Sequence, residues 1–393
     1  MNFINSAYRK LTEQHLHGYD AILLGCAALL CLTGLLMIYS ASSSLSDRLY
    51  GTSLIFLRNH LLHLLLGLCA LAVAMRVPYG AWKRWVPFSL GLCLVLLILV
   101  LIPGIGHEVA GARRWLRLGP IGFQPTELVK LVLIANVAFY LTRKRELVSE
   151  FVRGVVPSLA VMALFLGLVL LQPDFGTVVL IALTLLLMIF IGGARPGHIL
   201  FSLLGFGLIG ALLIASQSYR MKRMLAFLDP WSDRLDSGFQ IVQSYLAFGS
   251  GGWTGVGLGD SRQKMFFLPE AHTDFIYSIL AEELGLVGSL AVMALLACFI
   301  WRGFAASLSN EDEFGRYLGF GIATLFALQI LLNLAVVMGM MPTKGLPLPF
   351  ISYGGSSLVM SLFMVGVLLN IGRHPAHAAE ARPEARVAAP ARG

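Results

Sequence analysis

Apolar residues run along this chain in blocks of about 18 or more, separated by short polar stretches. Blocks of that length match the thickness of a bilayer core and exceed the four to eight residues of a buried strand. They predict ten membrane-spanning helices, at 20–41, 55–75, 84–103, 126–142, 154–172, 176–193, 197–215, 274–301, 317–340 and 353–372. The fold class is therefore all-α: a polytopic membrane bundle with a large extracytoplasmic loop between spans seven and eight. Three connections break the simple rhythm. Residues 104–125 and 216–273 are too long for turns, and loops of that size in a compact bundle usually have a task. The start of the second mixes basic, aromatic and apolar positions, which predicts short helices lying in the interface. The third, "TKGLPLPFISYGGSS" at 343–357, is rich in Gly, Pro and Ser. Non-helical backbone at membrane depth is tolerated only where protein buries it or a cavity takes it up.

Composition agrees with this pattern. The chain has 393 residues, 57% hydrophobic and 13% charged, with a mean hydropathy of +0.79, well outside the range of soluble domains. The first 19 residues are polar and mixed, and the first apolar run is long enough to span, so no cleavable signal peptide is expected. Five cysteines, Cys26, Cys31, Cys69, Cys93 and Cys298, fall inside apolar runs without metal-ligand spacing and read as small buried side chains. The net charge of +8 sits in short loops, which points to membrane lipids and not to nucleic acid. With the N-terminus inside, 16 Lys and Arg fall on inner segments against 6 on outer ones, leaving aside 216–273. Both termini are thus expected in the cytoplasm. The domain reading is a cytoplasmic tail at 1–19, a membrane domain at 20–372 and a disordered cytoplasmic tail at 373–393.

The candidate chemistry lies at the outer ends of the spans. In "FLPEAHTDFIYSIL" (267–280), Glu270, His272 and Asp274 stand within five positions of each other. Thr273 or Asp274 could cap the helix that follows. A carboxylate part-buried among aromatic residues could equally be a general base. His272 is open to metal binding or to a packed, hydrogen-bonded role. Glu282 and Glu283 lie deeper in the same span, where acids face a protein interior or a cavity. Glu127 and Lys130 of "PTELVK" share a helix face and can pair, either as a neutral pair at the membrane edge or as a polar cavity wall. Asp174 in "QPDFGT" reads as a turn residue, exposed or functional. Arg113, Arg114, Trp115 and Arg117 lie on the side where basic residues are disfavoured. They suit anionic headgroups or a pyrophosphate, which guanidinium binds bidentately. Lys344 and Ser352 belong to the non-helical 343–357 segment.

These residues stand in a familiar order. "GARRWLRLGPIGFQPTELVK", "QPDFGT", "FLDPWSDRLDSGFQIVQS", "GVGLGDSRQKMFFLPEAHTDFIYSILAEELGLVG" and "GLPLPFISYGGSSL" resemble the SEDS family of bacterial envelope proteins over about residues 20–372. "YSASS", "PEAHTDF" and "PFISYGG" lean toward the division branch of that family over the elongation branch. The resemblance implies a ten-span fold and a peptidoglycan glycosyltransferase acting on lipid II in the bacterial inner membrane, at the division septum. It implies that Asp274 is the essential acid, that Arg114 and Trp115 are the outer-loop pair, and that Glu127 and Lys130 form the polar cavity pair. In that reading Arg113, Glu270, His272, Lys344 and Ser352 join them as substrate-binding residues, with Glu270 and His272 tuning Asp274. A class B penicillin-binding protein would supply the transpeptidase beside other divisome membrane proteins. No cofactor is identified with certainty and no complete metal site is visible, although a divalent cation (Mg or Mn) could bridge the pyrophosphate. An elongation-type polymerase is one alternative. Another is a lipid II flippase whose polar path would be Glu127, Lys130, Glu282 and Glu283, and a third is a non-catalytic division scaffold.

Overall fold

The computed structural model describes residues 18–387, apart from 110, 120, 217, 235, 237, 266, 267 and 270. Glu270 therefore lies outside the described residues. Each predicted span has its helix: α1 (Ala21–Tyr50), α2 (Ile55–Arg76), α3 (Trp82–Leu101), α4 (Pro125–Lys144), α5 (Val156–Leu170), α6 (Phe175–Ile191), α7 (Pro196–Ala215), α10 (Ile276–Leu308), α11 (Glu313–Val337) and α12 (Gly355–Val387). Nine helical segments among the described residues are long and apolar enough to cross a membrane. The tenth, α6, has 17 residues and is about 25 Å long at 1.5 Å per residue. Helices α4, α11 and α12 are mostly buried, whereas α2, α3 and α7 turn most of their surface outward. α2 lies along α12, α10 along α11 and α1, and α3 along α4. Helix α12 runs past the predicted span end at 372 into the segment read as a disordered tail. Ala, Glu and Arg in that segment are strong helix formers. Cys69 also departs from the reading, since it is exposed on α2 while Cys26, Cys31 and Cys93 are buried.

The span ends around Asp20 are tied by polar contacts. Asp20 caps α1, accepting from the backbone N–H of Leu23 at 3.0 Å, and pairs with Arg302 of α10 at 2.6 Å, both buried. Asn370 of α12 accepts from the backbone N–H of Tyr79 and donates to the Met75 carbonyl. Lys83 pairs with Asp312 at 3.1 Å. Charges this close to hydrocarbon are affordable only with partners.

The connections at 104–125 and 216–273 hold the departures from the plain span pattern. Residues 104–125 carry a three-stranded antiparallel sheet, β1 (Gly106–Val109), β2 (Ala112–Leu118) and β3 (Ile121–Phe123). Span-scale hydropathy cannot see strands of three to seven residues. The 216–273 segment forms α8 (Ser218–Leu228) and α9 (Phe239–Gly251). α9 packs into the protein instead of lying free in the interface. Its Ile241, Val242, Ser244 and Ala247 are buried, and the Ser244 hydroxyl donates to the Val337 carbonyl at 2.6 Å.

Helix α10 breaks at Gly285, whose φ is +66°. The chain entering from 252–257 repairs the break. The N–H of Val256 donates to the Glu282 carbonyl at 3.0 Å and that of Gly257 to the Glu283 carbonyl at 3.2 Å. In return Leu286 and Val287 donate to the carbonyls of Gly252 and Trp253. A Cβ at residue 285 would lie 2.3 Å from the Gly255 nitrogen. We expect Gly285→Ala to destabilise the fold by at least about 1–3 kcal/mol, the strain of a left-handed non-glycine residue. The measurements are thermal unfolding in detergent and the rate of limited proteolysis within 252–274. Unchanged melting and protection would show that the break does not depend on glycine.

Candidate active site

Several connections between the spans converge on one region. Asp274 is half-buried just before α10. The N-cap position of α10 belongs to Phe275, whose side chain makes no capping hydrogen bond. A narrow pocket is lined by Asp274, Phe275, Asn333, Val336, Lys344 and Leu346. Lys344 thus faces the same space as Asp274, although 70 residues separate them in sequence. Burial pushes the Lys344 amine below its ordinary value, because it disfavours the charged form.

Packing fixes the segment that carries Lys344. Gln329 and Asn333 are one helical turn apart on α11. Gln329 donates to the Pro347 carbonyl at 2.8 Å, and Asn333 donates to those of Leu346 at 2.7 Å and Asp274 at 3.0 Å. Phe350 takes a φ of +67°, a costly conformation for a bulky residue, and its ring is held by Phe299 and Phe326. Ser352 is buried, and its hydroxyl accepts from the Leu348 N–H at 2.8 Å. It closes the turn rather than facing the pocket. On the far side, Gly176 at the start of α6 lies against Lys344, where a Cβ would come within 2.6 Å of the Lys344 carbonyl oxygen.

Asp174 is not an exposed turn residue. It is buried and caps α6, accepting from the Thr177 N–H at 3.2 Å. The arginine cluster also divides. Arg114 is the extra residue of a bulge in β2, where Glu108 faces Arg113 and His107 faces Trp115, so the alternation of side chains is broken there. The Arg114 guanidinium forks onto the carbonyls of Gln172 (2.9 Å) and Pro173 (2.6 Å), tying the sheet to the turn ahead of Asp174. Arg113 pairs with Glu108 at 3.1 Å and stays partly exposed. Trp115 is half-buried.

His272 packs its ring against Phe56 and Tyr353, at 5.1 and 5.7 Å between centroids. Among the described residues no group of three or more His, Cys, Asp or Glu is arranged to hold a metal. A cavity of about 470 Å³ opens between α8, α9 and Pro269, with Lys222, Arg223, Asp236 and Gln240 on its wall. Arg223 reaches from it to the Thr343 carbonyl at 3.5 Å, next to Lys344.

The deeper acids are structural. Glu283 pairs with Lys264 at 3.0 Å and accepts from the Ser40 hydroxyl of α1 at 2.6 Å. Glu282 accepts from the Ser261 hydroxyl and from the Arg262 N–H at 3.1 Å. Together they bind residues 261–264, which lead to Asp274. Sequence reading passed over Lys264, Gln329 and Asn333. The two amides had one available signal, polar side chains one turn apart inside an apolar span.

Glu127 and Lys130 pair at 2.8 Å with side-chain exposures of 6% and 2%. The pair is buried in the protein near the start of α4. Removing one partner strands a buried charge and costs about 3–5 kcal/mol, whereas an apolar double replacement can be nearly neutral. We therefore expect Lys130→Met and Glu127→Leu each to lower the melting temperature sharply, and the double variant to recover most of it. Equal melting of the three variants would contradict the pairing. The lipid II polymerisation rate of the folded double variant then shows whether the pair also meets substrate.

Residues 20–377 match the family of FtsW, RodA and SpoVE cell cycle proteins. The chain is 45% identical over 363 residues to a probable peptidoglycan glycosyltransferase FtsW of Geobacter metallireducens, covering 92% of this chain and 96% of that one. It is 42% identical to stage V sporulation protein E of Bacillus subtilis, covering 90% and 97%. Its fold is similar to a chain solved in work on the structural coordination of polymerization and crosslinking by a peptidoglycan synthase complex. The TM-score is 0.76 and the identity 30%, covering 91% and 98%. It is also similar to the crystal structure of the rod shape determining protein RodA of Thermus thermophilus, with a TM-score of 0.67 and 28% identity, covering 90% and 97%.

Proposed function

The chain belongs to the FtsW, RodA and SpoVE family of cell cycle proteins, and from that premise we propose that it is a peptidoglycan glycosyltransferase that polymerises lipid II in septal wall synthesis. The observation that carries the assignment of roles is the pocket shared by Asp274 and Lys344 at the outer ends of the spans. A lipid-borne substrate can reach this level while its carrier stays in the bilayer.

Asp274 acts as the general base. It takes the proton of the acceptor sugar's 4-hydroxyl as that oxygen bonds to the anomeric carbon of the donor. The bond from that carbon to the pyrophosphate oxygen breaks, and undecaprenyl pyrophosphate leaves with the electron pair. A single displacement converts the α-linked donor into a β-1,4 product. Charge developing on the leaving group needs fixed positive partners, and Lys344 and Arg223 stand nearest to supply them. Arg113 and Trp115 of β2 are assigned to the pyrophosphate and headgroup region. Arg114 acts indirectly, by holding the sheet to the turn before α6. His272 supports the loop through its ring contacts, and Glu127 and Lys130 form a polar floor. A divalent cation bridging the pyrophosphate would come with the substrate.

A flippase would need an open polar path. The intramembrane acids and Lys130 are engaged instead in pairs and loop contacts, which favours the polymerase. The partner is assigned as a class B penicillin-binding protein, supported by the likeness to a chain of a complex that coordinates polymerization with crosslinking. Other divisome proteins are expected around it. The placement is the bacterial inner membrane at the septum, with both termini cytoplasmic.

The purified protein, with its transpeptidase partner present, is supplied with labelled lipid II in detergent and in vesicles. Asp274→Asn keeps side-chain size and removes the base, so polymer formation should fall by about 10²–10⁴-fold with melting unchanged. Polymerisation by the Asn variant at near wild-type rate would refute the base. Transport of lipid II across vesicles without any polymer would point to the flippase.

A further inference from the structure

The pocket at Asp274 and Lys344 has a volume of about 10 Å³, room for one water. It can receive a reacting hydroxyl and little else, so the bulk of a lipid-linked substrate must be held outside it. The cavity between α8, α9 and Pro269 offers that room, and its 470 Å³ lies in the ordinary range for ligand sites. Two links join it to the Asp274 region. Pro269 on its wall lies five residues before Asp274 in the same segment. Arg223, also on its wall, donates to the carbonyl of Thr343, the neighbour of Lys344.

The wall carries both signs of charge. Among the described residues it holds Lys222 and Arg223 from α8 and Asp236 from the chain ahead of α9, with the neutral Gln240 and Ser218 beside them. Phe239 and Pro269 supply apolar surface. Helix α9 begins here, and Gly238 at its N-cap provides no side-chain bond to the first N–H groups, so the positive end of the helix adds to the cationic side. A pyrophosphate complements the cations but is repelled by Asp236. A ligand carrying carboxylates together with N–H donors complements the whole wall. Lipid II has such a part: its peptide stem, which ends in a carboxylate and includes an acidic residue and a diamino residue. We propose that this cavity binds the peptide stem of the lipid-linked substrate. Lys222 takes a stem carboxylate, Asp236 and Gln240 take its N–H donors, and Phe239 and Pro269 pack its small apolar side chains. Arg223 stands on the wall between this cavity and the Lys344 segment. The inference rests on the reading of the chain as a lipid II polymerase. The stem has the reach, since five extended residues span about 17 Å. It takes no part in the bond changes, so its contacts are the same before and during reaction, and they select substrate through KM.

The test compares lipid II bearing its pentapeptide with an analogue in which a lactyl amide replaces the stem, the sugars and pyrophosphate being the same. Initial polymerisation rates are measured with the transpeptidase partner present. The wild type should favour the full substrate by about fivefold or more in kcat/KM, the worth of one hydrogen bond of ordinary net strength. Lys222→Ala and Asp236→Asn should each raise KM for the full substrate, leave kcat nearly unchanged and shrink the preference. Lys222→Arg keeps the charge and should keep the preference. Lys222 and Asp236 are exposed, so the variants should fold, and unchanged melting checks this. Equal use of the two substrates by the wild type, or a preference that survives in both Lys222→Ala and Asp236→Asn, would overturn the proposal. Equal losses on both substrates would also overturn it, by assigning the cavity to the pyrophosphate. Fluorescence-detected binding of the two lipids to Asp274→Asn gives the same comparison without turnover. Failure of the polymerase reading is therefore distinguishable: the wild type would make no polymer from either lipid, while the binding ratio would still decide whether the stem is held.

Discussion

Backbone polar groups that leave a helix inside a membrane must find partners within the protein, because hydrocarbon offers none. This constraint explains most of what surrounds Asp274. The chain leaves helical geometry at Gly285 in α10 and along the segment between α11 and α12. At the first place the 252–257 backbone supplies the missing bonds. At the second, Gln329, Asn333 and Ser352 supply them from side chains, while Pro347 and Pro349 remove two N–H groups that would otherwise need acceptors. Both repairs border the Asp274 loop, so satisfying the backbone also fixes the site.

Ionic groups follow the same logic. Asp20 with Arg302, Glu127 with Lys130, and Lys264 with Glu283 are buried pairs, each joining two segments or stabilising one helix face. A lone charge in any of these places would be expelled or neutralised. Lys264 and Glu283 reach further than a pairwise bond. With Ser40 they connect α1 to the chain leading into Asp274. Loosening α1 near Ser40 would therefore be felt at the site, although no residue of α1 lines the pocket.

The sheet of β1, β2 and β3 shows how local strand geometry changes a chemical argument. Read as a cluster, Arg113, Arg114 and Arg117 look like one anion site. On β2 a bulge at Arg114 breaks the alternation and separates the arginines. Arg114 is committed to the carbonyls of Gln172 and Pro173, while Arg113 pairs with Glu108. The planar fork of arginine is used here for a turn of the protein itself, which then presents Asp174 to cap α6 and Gly176 to meet Lys344.

The spans could be read from the sequence because hydrophobic length is a local quantity: twenty apolar residues cross a bilayer whatever surrounds them. The pairing of Glu127 with Lys130 was legible for the same reason, since helical spacing puts them on one face. Asp274 was conspicuous as an acid beside a span, and the resemblance to a known family singled it out further. The small sheet, the burial of Asp174, the loop-holding work of Glu282 and Glu283, and the meeting of Asp274 with Lys344 and Asn333 were not legible. Each depends on which distant segment fills the space next to it. Packing and hydrogen-bond satisfaction decide that only when the whole bundle has closed, so the sequence by itself determined the spans and the tertiary structure decided the site.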